Sequence, residues 1–129
     1  MIPSFWEAPV AYGGRSSSVM VSGTSVHRPK GQHRVNGKSV SGICQQLDFE
    51  VEFAAVIGQG NEFGQAIDVN QAENHIFGFV LLNDWSARDF QKNEFASFSS
   101  KFFGTQISPW IVPFEALEPF RTTPTKAEV

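Results

Sequence analysis

The stretch CQQLDFEVEFAAVIG, residues 44–58, alternates apolar and acidic side chains through Leu47, Asp48, Phe49, Glu50, Val51, Glu52 and Phe53. An extended strand sends successive side chains to opposite faces. The spacing predicts one continuous strand to about Ile57, with Leu47, Phe49, Val51 and Phe53 on an apolar face and three carboxylates on the other. Neighbouring carboxylates on such a face stand roughly 6–7 Å apart at the backbone, twice the rise per residue. At an effective dielectric of about 20 they repel by about 2.5 kcal/mol. Water and salt screen that repulsion, but a partly buried face needs a cation or a proton to carry it. A lone D-x-E-x-E is more often a solvated edge strand, where charge discourages aggregation. On this segment alone, bulk water and a bound cation both remain open.

The rest of the chain narrows the setting. Its 129 residues suffice for one domain with a hydrophobic core. A net charge of −3 without a basic run argues against nucleic acid or an anionic membrane as partner. One cysteine, Cys44, excludes an internal disulfide framework and fits a reducing compartment. No apolar run approaches the roughly 20 residues that span a bilayer, and the opening MIPSFWEAPVAYGG has no signal-peptide pattern. The expected address is cytoplasmic. Thirteen phenylalanines with few periodic helix formers point to a β-rich core.

Along the chain, residues 1–15 read as a loop or arm, and Ser16–Gly23 as a short strand closing on a turn. Residues 27–42, polar with Pro and several Gly, read as a loop. Gly58–Gln65 is a turn; the next segment starts as a helical turn and becomes a buried strand from about Ile76 to Asn83. SARDFQKNEF, residues 86–95, reads as a helix with Ser86 as N-cap and Asp89 near the positive end of its dipole. Lys101–Leu117 is extended around Trp110-Ile111-Val112, and the tail RTTPTKAEV is polar.

Asp84 tips the reading of the acidic strand. It follows seven apolar residues, IFGFVLL and then Asn83, at the end of a strand, where side chains converge. Its ordinary role would be a turn residue. With Glu50 and Glu52 it forms an oxygen set that suits Mg²⁺ or Ca²⁺; Asp48, farther along the face, ranks lower. On the helix expected after Asp84, Arg88, Gln91 and Phe95 share a face, and Arg88 with Gln91 could stabilise an oxyanion there. Taken alone, an arginine pairing with a surface carboxylate is the simpler account. His27, His33 and His75 have no zinc spacing, YGGRSSS lacks the Walker A ending, and Cys44 reads as a packed side chain rather than a nucleophile.

The blocks PVAYGGRSSSVMVSGT, LDFEVEFAAVIGQGNEFGQAI, ENHIFGFVLLNDWSARDFQ and KFFGTQISPWIVP, from Pro9 to Pro113, resemble the fumarylacetoacetate hydrolase family. The E-x-E strand followed by N-D-W-S-A-R-D is specific, and the flanking blocks favour its fumarylacetoacetase branch. The resemblance implies a β-rich mixed α/β fold, a fumarylacetoacetase C-terminal-like β-sandwich or roll present here in part. It implies metal-dependent hydrolysis of a carbon–carbon bond in a small diketo acid, 4-fumarylacetoacetate, giving fumarate and acetoacetate at the end of tyrosine and phenylalanine catabolism. It assigns Glu50, Glu52 and Asp84 to a divalent ion, Mg²⁺ or Ca²⁺, and Lys101 and Thr105 to an additional magnesium site. An ammonium cannot ligate Mg²⁺, so Lys101 would contribute its carbonyl. Arg88, Gln91 and Lys101 would stabilise the oxyanion. Tyr12, Gln91 and Phe95 would meet substrate, and the full-length form would be a homodimer.

The departures are equally specific. The family's catalytic His and a further metal-binding Asp precede the block PSFW, and its His-orienting Glu and a substrate Thr lie beyond residue 129. Residues 1–129 therefore read as the middle of a catalytic domain, inactive alone. Phe95 stands where the family has a tyrosine, and the Gln91–Lys101 spacing is shorter than the family's. Two alternatives stand beside this reading: a related enzyme acting on acylpyruvates or other keto acids, and a non-catalytic, metal-binding remnant.

Overall fold

A computed structural model of the chain describes residues 14–93 and 99–123. Tyr12 and Phe95, both expected to contact substrate, lie outside them. The strands are β1 (Val19–Val21), β2 (Lys30–Val35), β3 (Lys38–Ile43), β4 (Leu47–Asp48), β5 (Val51–Ile57), β6 (Ile76–Asp84), β7 (Ser86–Ala87), β8 (Thr105–Ile107) and β9 (Val112–Pro113). One turn of α-helix, α1 (Arg88–Gln91), and three 3₁₀ segments, Ser16–Ser18, Val69–His75 and Phe114–Phe120, complete the described residues. The chain is strand-rich with mixed sheets and little helix, as its aromatic and β-branched composition requires. No described helix is long and apolar enough to cross a membrane.

The main sheet runs β1-β8-β6-β5, with β9 also paired to β6. Strand β6 is its axis: it is antiparallel to β5, β8 and β9, while β1 and β8 are parallel. Glu52 stands opposite Leu82, Leu82 opposite Ile107, and Asp84 opposite Thr105. Paired residues share a face, so Glu52, Leu82, Asp84 and Thr105 all project to one side. The other side carries Val51, Phe53, Phe79 and Leu81. Phe53 stacks on Phe79 at 4.4 Å between centroids, and Phe114 leans on Phe79 at 5.7 Å. Arg121 lies over the Phe114 ring and pairs with Glu73 and Glu118, tying the segment Phe114–Phe120 to the one before β6.

Three expectations are corrected. The acidic stretch is not one strand: β4 pairs with β7, β5 pairs with β6, and Phe49–Glu50 is the step between two sheets. Residues 27–42 are not a loop, because β2 and β3 form an antiparallel hairpin. Its turn is Asn36-Gly37, both at positive φ (51° and 78°), the backbone twist that two-residue hairpins favour. The helix expected from Ser86 begins later. Ser86 lies in β7 and donates its hydroxyl to the Asp84 carbonyl, and Ala87 occupies the N-cap position without a side-chain bond.

The core lies where the hairpin, β4, β7 and α1 meet. Cys44, Ala87 and Phe90 are buried there, with Leu47 and Phe103 against them. Gly31 on β2 admits the Phe90 ring, which a β-carbon at that position would meet at 2.7 Å. Burial of a side chain the size of Phe90 contributes about 1.5–3 kcal/mol. Asp89 locks α1 to this core: it accepts from the Cys44 thiol at 3.0 Å and the Gln45 amide at 2.7 Å. The Arg88 amide donates to the Gln46 carbonyl, and the Ala87 amide to the Ser100 carbonyl.

Three packing and hydrogen-bonding features yield predictions. A β-carbon on Gly78 would strike the Val112 carbonyl and meet Ile111 Cγ2 at 3.0 Å. Gly78→Ala is expected to part β9 from β6 and lower stability by about 1–3 kcal/mol, measured by urea unfolding; an unchanged midpoint would refute the close packing. For Asp89, burial opposes ionisation, but the hydrogen bonds from Cys44 and the Gln45 amide outweigh it and hold the carboxyl below the usual aspartate range. Such a group contributes stability above its unfolded pKa and loses it as pH falls through the folded value. Asp89→Asn should lower stability by about 1–3 kcal/mol near neutral pH and flatten the loss of melting temperature on acidification below about pH 4. Parallel acid profiles for variant and parent would contradict this. Burial, then the Asp89 bond, pushes the Cys44 thiol up to about 11. Disulfide reagents at mildly alkaline pH should thus react slowly with the folded chain and quickly after denaturation.

Candidate metal centre

Glu50 reaches the site because its backbone is gripped from β6. Its amide donates to Asn83 Oδ1 at 3.2 Å, and its carbonyl accepts from the Asp84 amide at 3.0 Å. This grip turns the chain between β4 and β5 and brings Glu50 beside Glu52 and Asp84. One carboxylate oxygen from each of the three lies within 4.8 Å of the others. At an effective dielectric of about 20, each pair at that separation repels by roughly 3 kcal/mol, so the arrangement persists only with positive charge close by.

Two side chains of the chain supply part of it. The Lys101 ammonium, on a side chain only 8% exposed, touches Glu50 Oε2 and lies 2.8 Å from Asp84 Oδ2. The Arg88 guanidinium bridges Asp48 Oδ2 at 2.8 Å and Glu50 Oε1 at 2.7 Å, and also donates to Gln91 Oε1 at 3.0 Å. The carboxyls respond unequally. Burial opposes ionisation of Glu50, but the bonds from Lys101 and Arg88 bring it below the usual glutamate range. Burial, followed by the charges of Asp84 and Glu50, pushes Glu52 above that range. Among the described residues no cation lies within ion-pair distance of Glu52.

Among the described residues, Asp48, Glu50 and Asp84 are thus ion-paired to Arg88 and Lys101, and Glu52 is left without an ion pair at the three ligand-spaced oxygens. That donor set, all hard oxygen, fits a divalent cation such as Mg²⁺ or Ca²⁺. The cluster opens into a cleft of about 510 Å³ whose walls include Gln91, Thr105, Phe102 and Arg15.

Of the residues singled out in the sequence, Glu50, Glu52, Asp84, Gln91, Lys101 and Thr105 line this one cleft. Arg88 does not line it; it stands behind Glu50, held by Asp48. Asp48 is outside the three-oxygen group and serves as the anchor of Arg88. His33 stacks on Phe90, and His75 bonds the Gln59 carbonyl, both away from the cleft. Sequence reasoning missed Arg15, a cleft residue visible only as part of a Gly-Arg-Ser block, and Asn83, whose amide grip on Glu50 has no sequence signature.

Comparison with known proteins gives the family of the chain. Residues 2–129 match the family described as fumarylacetoacetate (FAA) hydrolase C-terminal. Over 123 residues the chain is 54% identical to the fumarylacetoacetase of Arabidopsis thaliana, covering 92% of this chain and 29% of that protein. It is 51% identical to the fumarylacetoacetase of Bos taurus and 49% identical to that of Homo sapiens, each over 93% of this chain and 30% of the relative. The chain thus spans about 30% of the length of the curated relatives it matches. It belongs to the fumarylacetoacetate hydrolase family, and its acidic cleft is compatible with a divalent cation.

Proposed function

We propose that this chain carries the metal-binding, electrophilic part of a fumarylacetoacetase active site. The reaction is hydrolysis of the carbon–carbon bond of 4-fumarylacetoacetate to fumarate and acetoacetate, closing tyrosine and phenylalanine breakdown. The observation that carries the reading is the convergence of Glu50, Glu52 and Asp84 in a cleft that also holds Lys101, Gln91 and Thr105. Mg²⁺ or Ca²⁺ held by the three carboxylates would polarise the diketone oxygens and stabilise the negative charge of the leaving carbanion.

The chain's own residues divide the remaining work. Gln91 presents an amide to the cleft and is oriented by Arg88, which donates to its oxygen. That bond leaves the Gln91 NH₂ as the donor toward developing charge on substrate. Arg88 acts through Glu50 and Gln91, stiffening both, rather than by touching substrate itself. Lys101 carries a positive charge to the same wall, and Thr105, opposite Asp84 in register, offers a hydroxyl for a second ion. Tyr12 and Phe95 belong to the substrate-binding side of this reading. The base that activates water is assigned to sequence other than these 129 residues, since none of His27, His33 and His75 lines the cleft. A cytoplasmic address and a homodimeric full-length form complete the reading.

Calorimetric titration of the chain with Mg²⁺ and with Ca²⁺ tests the metal assignment. Glu52→Gln and Asp84→Asn should each weaken binding at least about tenfold, near 1.4 kcal/mol, with no change of fold by circular dichroism. Undiminished affinity in both variants would sink it. Incubation of the chain with fumarylacetoacetate and Mg²⁺ should give no fumarate; turnover would place the base within these residues.

A further inference from the structure

Arg15 is the cleft residue that the metal-site reading leaves without a task. It stands immediately before the 3₁₀ turn Ser16–Ser18, which holds it from two sides. The Ser18 hydroxyl and amide donate to the Arg15 carbonyl at 3.0 and 3.2 Å, and the Arg15 Nε donates to Ser17 Oγ at 2.9 Å. The turn runs straight into β1, whose Val19 stands opposite Thr105 of β8. Thr105 lines the cleft, so the pairing of β1 with β8 delivers Arg15 to the same place. With Nε donated to Ser17, the two terminal amino groups remain as donors. Together they form an edge of the planar fork that takes a carboxylate through two parallel bonds.

Opposite charges thus line one cleft of about 510 Å³ without meeting. Among the described residues neither Arg15 nor Glu52 enters an ion pair. The carboxylate cluster suits a cation and the oxygen atoms a cation attracts, whereas Arg15 suits a negative group. A β-diketo acid has that constitution: carbonyl oxygens along its middle and a carboxylate at its end. We infer that Arg15 is a substrate-recognition residue, binding a terminal carboxylate of the diketo acid, with Ser17 orienting its guanidinium. The fumaryl and acetoacetyl ends of 4-fumarylacetoacetate each present such a group, and the chemistry common to both is the forked ion pair. Arg15 makes the cleft selective for acids over uncharged diketones. The inference rests on the function proposed above and adds the residue that selects the end of the substrate.

The experiment titrates fumarate, acetoacetate and acetylacetone, a β-diketone without a carboxylate, into the chain and into Arg15→Gln and Arg15→Lys. Each titration is run by calorimetry with and without saturating Mg²⁺. With Mg²⁺, Arg15→Gln should weaken binding of at least one of the two acids about tenfold or more, and Arg15→Lys should recover part of the loss. The acid that loses affinity identifies the end that Arg15 holds. Acetylacetone and Mg²⁺ itself should bind parent and variants alike. Equal affinity of both acids for parent and Arg15→Gln overturns the inference, as does a parent chain that binds neither acid. A matching loss for acetylacetone also overturns it, since Arg15 would then shape the cleft rather than recognise charge. Arg15 is exposed, so its replacement leaves the core intact; should a variant nevertheless fail to fold, the parent decides. Its Arg15 Nε resonance should shift on adding the acid, and an unmoved resonance counts against the contact. The two readings fail separately. Normal Mg²⁺ binding with acids indifferent to Arg15 removes only this inference, whereas Arg15-dependent binding of an acid by a chain that takes up no Mg²⁺ removes only the metal assignment.

Discussion

The grip of Asn83 and Asp84 on the Glu50 peptide is the contact on which the rest of the site depends. It consists of one side-chain acceptor and one backbone donor on consecutive residues of β6, engaging the amide and carbonyl of Glu50. Without it, Leu47 to Ile57 could run as one strand, and its carboxylates would be spread at strand spacing along one edge. With it, the chain leaves one sheet and enters another at Glu50. The β4–β7 pair and the β5–β6 ladder meet there, and α1 starts within reach. The strand end of β6 thus contributes twice, as structural clamp through Asn83 and as carboxylate through Asp84. The folded backbone holds the acidic groups together against their mutual repulsion.

Charge is then arranged in layers. Asp48 fixes Arg88, Arg88 fixes one oxygen of Glu50 and the amide of Gln91, and Lys101 spans Glu50 and Asp84. Proceeding toward the cleft, compensation becomes progressively less complete and ends at Glu52, whose carboxyl is pushed above the usual range. A fully neutralised network would be a structural ion-pair cluster with little appetite for a ligand. This one is paired on the core side and, among the described residues, leaves Glu52 without an ion pair on the cleft side, the polarity that suits a cation. The same layering reconciles two readings of Arg88 that looked exclusive: it does pair with carboxylates, and by doing so it orients the groups that face the cleft.

The sequence pattern was informative where a periodicity or a strand end set the geometry. The alternation of Glu50 and Glu52 with apolar residues, and Asp84 closing an apolar strand, pointed to a cluster that the β5–β6 register assembles. Composition misled in residues 27–42. Their polarity hid the Asn36-Gly37 pair, a hairpin signal whose positive φ values matter more than the hydrophilicity around it. Ser86 misled in a different way. Its capping propensity is real, but pairing with β4 and a bond to the Asp84 carbonyl took the residue into β7. Local preference of well under about 2 kcal/mol yields readily to such tertiary contacts. The Asn83 clamp was not legible at all, since it depends on where two segments 33 residues apart come to lie.

The two faces of the main sheet make a final physical distinction. The cleft side carries Glu52, Asp84 and Thr105 near buried Lys101, while the other side leaves Val51, Phe53 and Leu81 more than 60% exposed. An apolar surface of that kind on a described sheet normally packs against another layer. The stability of the cleft and the covering of that surface are consequently coupled through the same two strands. Phe53 and Leu81 face each other in the ladder next to Glu52 and Leu82, so anything that stiffens β5 against β6 also tightens the spacing of the carboxylates. The geometry of the carboxylate cluster is set by the sheet as a whole, including the face that bears none of its side chains.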